Sequence, residues 1–82
     1  MKNACPVCGY DGLNEPAYTD GEASFDICPC CGVQFGYGDA SIKHDVLRAR
    51  WIDNGMRWSS DSPGPPPDWD PIAQLRKAKL TQ

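Results

Sequence analysis

Eighty-two residues with a net charge of −3 leave room for one small domain with a limited core, so a staple such as a bound metal is expected. Nothing approaches a run of 18 apolar residues, and Met1, Lys2, Asn3, Ala4 and Cys5 include no apolar h-region. A transmembrane helix and a secretory signal are therefore not expected. Cysteine number, at five, is odd and fits a reducing cytoplasm better than a disulfide framework.

Charge is unevenly spread. Residues 1–41 carry one lysine against six carboxylates, whereas residues 42–82 carry seven basic against five acidic groups. An acidic N-terminal half suits nucleic acid poorly, because that binding rests on neutralising phosphates.

The first element in the chain is Cys5, Pro6, Val7, Cys8 and Gly9, and it returns as Cys28, Pro29, Cys30, Cys31 and Gly32. Both read Cys-Pro-x-Cys-Gly, differing only at Val7 against Cys30. Two intervening residues let one tight turn aim both sulfurs at the same ion, about 2.3 Å away for zinc. Proline presets φ for the turn and glycine permits the positive φ that curls the chain around the metal. Inward N–H groups can then hydrogen-bond the thiolates. The pattern predicts a four-cysteine metal site of Cys5, Cys8, Cys28 and Cys31.

Residues 10–15 read as loop, and Pro16 limits any strand there to an edge. Asp20 and Gly21 form a hairpin signal between residues 17–19 and 24–27. In the second run Phe25 and Ile27 alternate with polar residues, as in a half-buried strand. The hairpin would bring the second knuckle beside the first. Residues 33–35 can continue as a third short strand, and Tyr10, Phe25, Phe35 and Tyr37 are expected to shield the sulfurs.

A helix is predicted over residues 41–54, capped by Asp39 or Ser41 and ended by Asn54 and Gly55. Ile42, Val46, Ala49 and Ile52 share its expected core face, with Leu47, Trp51, His44 and Arg48 on a flank. That flank is either a partner surface or is covered by Trp58 or Trp69; the second is the simpler expectation. Residues 59–67, with Pro65, Pro66 and Pro67, should be extended, packed on their own domain or docked in a partner's aromatic groove. Asp70 and Pro71 then open a short final helix, with Ile72 and Leu75 on one side. The division is 1–38 for the ribbon, 39–55 for the helix and 56–82 for the proline-rich tail, within one domain.

The stretch from Cys28 to Tyr37, with the first knuckle, Arg50, Trp51, Ile52, the proline run and Trp69, Asp70 and Pro71, resembles the bacterial cysteine-rich family named for its CPCC motif. The resemblance implies a small soluble bacterial protein with a metal site. Taken separately, the knuckles resemble those of rubredoxins. That implies Cys5, Cys8, Cys28 and Cys31 as ligands to one iron, and Tyr10 as a packing aromatic. Here the segment between the knuckles is shorter, and about fifty residues of non-ribbon chain follow the second. Both departures argue against a simple electron carrier.

Cys30, between ligands, is expected to face outward as a spare thiol, its pKa raised by the cluster's negative charge; ligand swapping and redox sensing are the alternatives. His44, the lone histidine, is expected on the surface or half-packed. A closed shell of four thiolates leaves no position for a catalytic water, and no Ser/His/Asp set, phosphate-cradling loop or carboxylate pair is apparent, so an enzyme is not expected. The fold expected is a small metal-bound α+β, a rubredoxin-like zinc ribbon plus one α-helix and a short C-terminal helix. The preferred function is a structural Zn2+ module that meets a protein partner. Alternatives are a one-iron (Fe) electron carrier and, less favoured, nucleic-acid binding through Lys43, Arg48, Arg50 and Arg57 with Trp51.

Overall fold

The computed structural model describes residues 3–62 and 64–80. In chain order these form β1 (Tyr18–Thr19), β2 (Glu22–Ala23), α1 (His44–Asp53) and α2 (Pro71–Lys77). None of the described helices is long and apolar enough to cross a membrane.

Asp20 and Gly21 turn the chain as expected. Both have positive φ, 51° and 83°, the type I′ signature whose twist matches the flanking strands. The strands pair antiparallel, Tyr18 opposite Ala23 and Thr19 opposite Glu22. The expected strand over residues 24–27 is absent. Phe25 sits at φ 61°, which breaks the pleat, and Phe25 and Ile27 are each 61% exposed. The alternation that suggested a half-buried strand thus belongs to an irregular segment. Residues 33–35 add only one isolated bridge, Ile27 to Gln34, secured by Phe35 N–H to Asp26 O at 3.1 Å.

Helix α1 starts later than expected, with Lys43 at the N-cap and no side-chain cap. Ser41 lies outside it, and Asp39, itself buried, bonds instead to Tyr18, His44 and the Gly36 N–H. The end of the helix follows expectation: Gly55 has φ 97°, and Met56 N–H returns to Trp51 O at 2.9 Å. The inward face differs. Trp51 is buried and Leu47 and Ile52 pack on the core, while Val46 and Ala49 are exposed. Hydropathy alone favoured the aliphatic stripe. The face was decided instead by Arg48, whose guanidinium docks on the first knuckle, and by the Trp51 indole, which donates to Arg57 O at 3.0 Å.

Beyond α1 the chain wraps the knuckles. Trp58 lies edge-on between Tyr10 and Trp69, at centroid distances of 5.2 and 5.4 Å, a favourable aromatic geometry. It therefore stacks with those rings rather than serving only as a cover for Trp51. Pro65, Pro66 and Pro67 are exposed, and Pro66 O accepts from Trp69 N–H at 3.2 Å; residue 63 of this segment lies outside the described residues. Asp70 caps α2 by accepting from Ile72 N–H at 3.0 Å and Ala73 N–H at 3.2 Å, with Pro71 in the first turn. Leu75 is buried. Ile72, expected beside it, is exposed. The core forms around the sulfurs: Cys5, Cys8, Cys28 and Cys30 belong to it together with Val7 and Phe35.

Candidate metal centre

The two knuckles have the same backbone. In the first, Gly9 N–H donates to Cys5 O at 2.9 Å and Cys5 N–H to Tyr10 O at 2.7 Å. In the second, Gly32 N–H donates to Cys28 O at 2.8 Å and Cys28 N–H to Val33 O at 3.0 Å. Gly9 and Gly32 take φ 85° and 79°, the positive values the motif predicted. Each turn aims two sulfurs inward.

The sulfurs meet. Those of Cys5, Cys8, Cys28 and Cys31 all lie within 4.8 Å of one another. Cys5 to Cys31 is 3.8 Å and Cys8 to Cys28 is 3.7 Å. A tetrahedron with Zn–S near 2.3 Å has edges of about 3.8 Å, so these pairs are spaced as ligands of one ion. Val7 N–H points at Cys5 Sγ at 3.4 Å, an inward amide of the kind that steadies a thiolate.

Crowding splits the proton affinities. Hydrogen bonds from Cys28, Cys31 and Cys8 drive the Cys5 thiol far below its usual value. Cys8 is driven far up as the donor to Cys28, Cys30 and Cys31, and Cys31 up through Cys28 and Cys5. A divalent cation such as zinc would take all four as thiolates. The spacing of the four sulfurs fits a tetrahedral thiolate metal.

The remainder of the chain satisfies the carbonyls that these tight turns strand. Arg48 Nε donates to Val7 O at 2.7 Å and its Nη2 to Pro6 O at 2.8 Å. Ser59 N–H and Ser60 N–H reach Pro29 O and Cys30 O at 2.9–3.2 Å. Gln74 Nε2 donates to Cys8 O at 2.9 Å and lies 3.4 Å from Cys30 Sγ. The carbonyl-capping roles of Arg48, read in the sequence only as a flank or nucleic-acid residue, and of Gln74 were missed, since nothing local distinguishes an arginine or glutamine that caps a loop more than 40 residues away.

Cys30 corrects an expectation. It is completely buried, as is Val7 at the matching position, because the α1 and tail segments lie over the faces that would be exposed in a bare knuckle. Its pKa is lowered, chiefly by a hydrogen bond from Cys8, with burial opposing and Gln74 assisting. The aromatic shield is also smaller than expected. Phe35 is fully buried and Tyr10 half-buried, but Phe25 and Tyr37 are exposed.

His44 is half-buried and stands apart from the sulfur cluster, in a separate polar cluster. Its Nε2 lies 2.7 Å from Asp39 Oδ2, which also accepts from the Tyr18 hydroxyl at 2.5 Å. Gly36 N–H donates to Asp39 Oδ1 at 2.6 Å. Burial opposes ionisation of Asp39, yet these bonds from Tyr18, His44 and Gly36 outweigh it and lower its pKa. The residues considered for nucleic acid do not form one surface: Arg48 is committed to the knuckle and Trp51 is buried.

Two curated proteins of Bacillus subtilis (strain 168) are similar to this chain. "Uncharacterized protein YozI" is 38% identical over 73 aligned residues, covering 65% of this chain and 59% of that protein. "Uncharacterized protein YoaQ" is 36% identical over 73, with the same coverage. The chain thus spans 59% of the length of these relatives. No family model matches the sequence. No solved structure matches it.

Proposed function

We propose that the protein is a small zinc-binding protein of the reducing cytoplasm. Cys5, Cys8, Cys28 and Cys31 hold Zn2+ in a closed structural site, within a rubredoxin-like ribbon of the kind the CPCC motif suggests. Its role is that of a protein-interaction module, without catalysis of its own.

One observation carries this reading: four sulfurs from two knuckles within 4.8 Å of one another at the centre of the core. Four protein thiolates complete a tetrahedral shell and leave no coordination position for water or substrate, the arrangement of structural zinc. Such ions supply on the order of 10–16 kcal/mol in small zinc peptides, comparable with the whole net stability of a domain. Native mass spectrometry should find one zinc per chain, and a strong chelator should abolish the circular dichroism of the folded state. A spectrum unchanged by metal removal would overturn the structural role.

A second reading, a one-iron electron carrier, is favoured by the partial exposure of Cys31, since a ligand at the surface shortens the path to a redox partner. The same four thiolates accept iron. Visible thiolate-to-iron absorption in protein purified from its native host would select iron over zinc.

A further inference from the structure

The knuckles are nearly identical in backbone but not in cover. Over the first, α2 and the residues after it close down. A Cβ on Gly9 would stand 2.8 Å from Ala78 Cβ and 3.1 Å from Gln74 O. The Cys8 sulfur beneath is completely buried. Over the second knuckle only the Ser59 side chain approaches the equivalent Gly32, at 2.6 Å from such a Cβ. Cys31, the counterpart of Cys8, stays half-buried, whereas Cys5, Cys8, Cys28 and Cys30 are at most 1% exposed.

Cys31 opens on a cavity of about 350 Å³ whose walls include Leu47, Trp51 and Trp58 and whose lining includes Arg50 and Arg57. Both arginines are exposed residues, and among the described residues neither guanidinium forms an ion pair. Two unneutralised cations beside apolar walls raise the local concentration of small anions. A larger cavity, about 640 Å³, borders Cys28, but that residue is 0% exposed.

We propose that Cys31 is the reactive ligand of the centre, and that the Arg50/Arg57 cavity is a binding site for small anionic electrophiles that modify it. The proposal rests on the metal reading of the four sulfurs, because a metal keeps Cys31 as a thiolate, the nucleophilic form of cysteine. With a haloacetate as the reagent, the Cys31 sulfur attacks the α-carbon, a C–S bond forms, the carbon–halogen bond breaks and halide leaves. The thioether sulfur produced is uncharged and a weaker ligand, the reagent's carboxylate staying on the adduct, so the modification loosens the metal. Size and charge of the cavity set the class of reagent: a small carboxylate or phosphate carrying an electrophilic carbon.

Iodoacetate and iodoacetamide test this on the full metal-loaded chain, since they share the same chemistry and differ in charge. Native mass spectrometry first reads the metal content, and peptide mapping then follows limited alkylation. The first adduct is expected on Cys31. The rate ratio of iodoacetate to iodoacetamide should fall about tenfold in Arg50→Gln/Arg57→Gln, while the iodoacetamide rate stays unchanged. Metal-loaded protein alkylated first at another cysteine, or an unchanged ratio in the double variant, overturns the proposal and leaves the metal reading intact. Protein isolated without metal overturns the metal reading, and with it the assignment of Cys31 as a ligand thiolate.

Discussion

Asp39 shows how much one side chain can organise. Its carboxylate joins the loop after the second knuckle to β1 through Tyr18 and to the first turn of α1 through His44. Because these bonds lower its pKa, the native state holds a proton on Asp39 less tightly than the unfolded chain does. The resulting stability is complete above the ordinary aspartate range and is lost as pH falls through the lowered native value. Asp39→Asn should therefore melt below wild type at pH 7, and the gap should shrink as pH drops below about 4. Thermal melts of both proteins across pH read the difference; a gap independent of pH would refute it. Gln74 acts at the same scale. Gln74→Ala strands the Cys8 carbonyl, a loss of about 1–3 kcal/mol, and should speed metal transfer to a chromogenic chelator. Stopped-flow comparison with wild type checks this.

Elements here are short and depend on contacts with the knuckles. Helix α2 has 7 residues, below the length that persists alone in water, so its cap and docking carry it. Asp70→Ala should cost about 1 kcal/mol, seen as a lower melting temperature. The two positive-φ glycines give a sharper comparison. Gly21→Ala meets nothing within 4 Å and should lose only the backbone strain of a left-handed residue, about 1–2 kcal/mol. Gly9→Ala adds a close approach to Ala78 Cβ and the Gln74 carbonyl, so it should undock α2 and be clearly the more damaging. Denaturant titrations of the pair decide the order. Helix α1 teaches a related point: its inward face was set by Arg48 bonding to knuckle carbonyls, which no count of apolar residues along the helix reveals.

For the whole molecule, sulfurs and two large rings, Phe35 and Trp51, stand where a bigger domain would place a broad aliphatic core. Phe35 is fully buried, and Phe35→Ala should cost roughly 3–5 kcal/mol. That approaches the entire stability of a chain this size, at roughly 0.05–0.15 kcal/mol per residue. The variant should therefore fold only with metal in excess, its circular dichroism rising with added Zn2+ and collapsing on chelation. A fold insensitive to metal would show that the apolar core suffices.

What the sequence determined by itself is local. The knuckles follow from proline and glycine at fixed positions in each motif, the turn from Asp20 and Gly21, the start of α2 from Asp70 and Pro71. In each case the backbone geometry is dictated within a few residues, and the grouping of Cys5, Cys8, Cys28 and Cys31 was legible for that reason. Tertiary structure decided the rest: that Phe25 lies outside and Cys30 inside, that Arg48 and Gln74 serve carbonyls across the chain, and that Cys31 stays more open than Cys8. These outcomes depend on which distant segment covers which face. Burial of a polar backbone requires a partner, and a partner can come from anywhere in the chain.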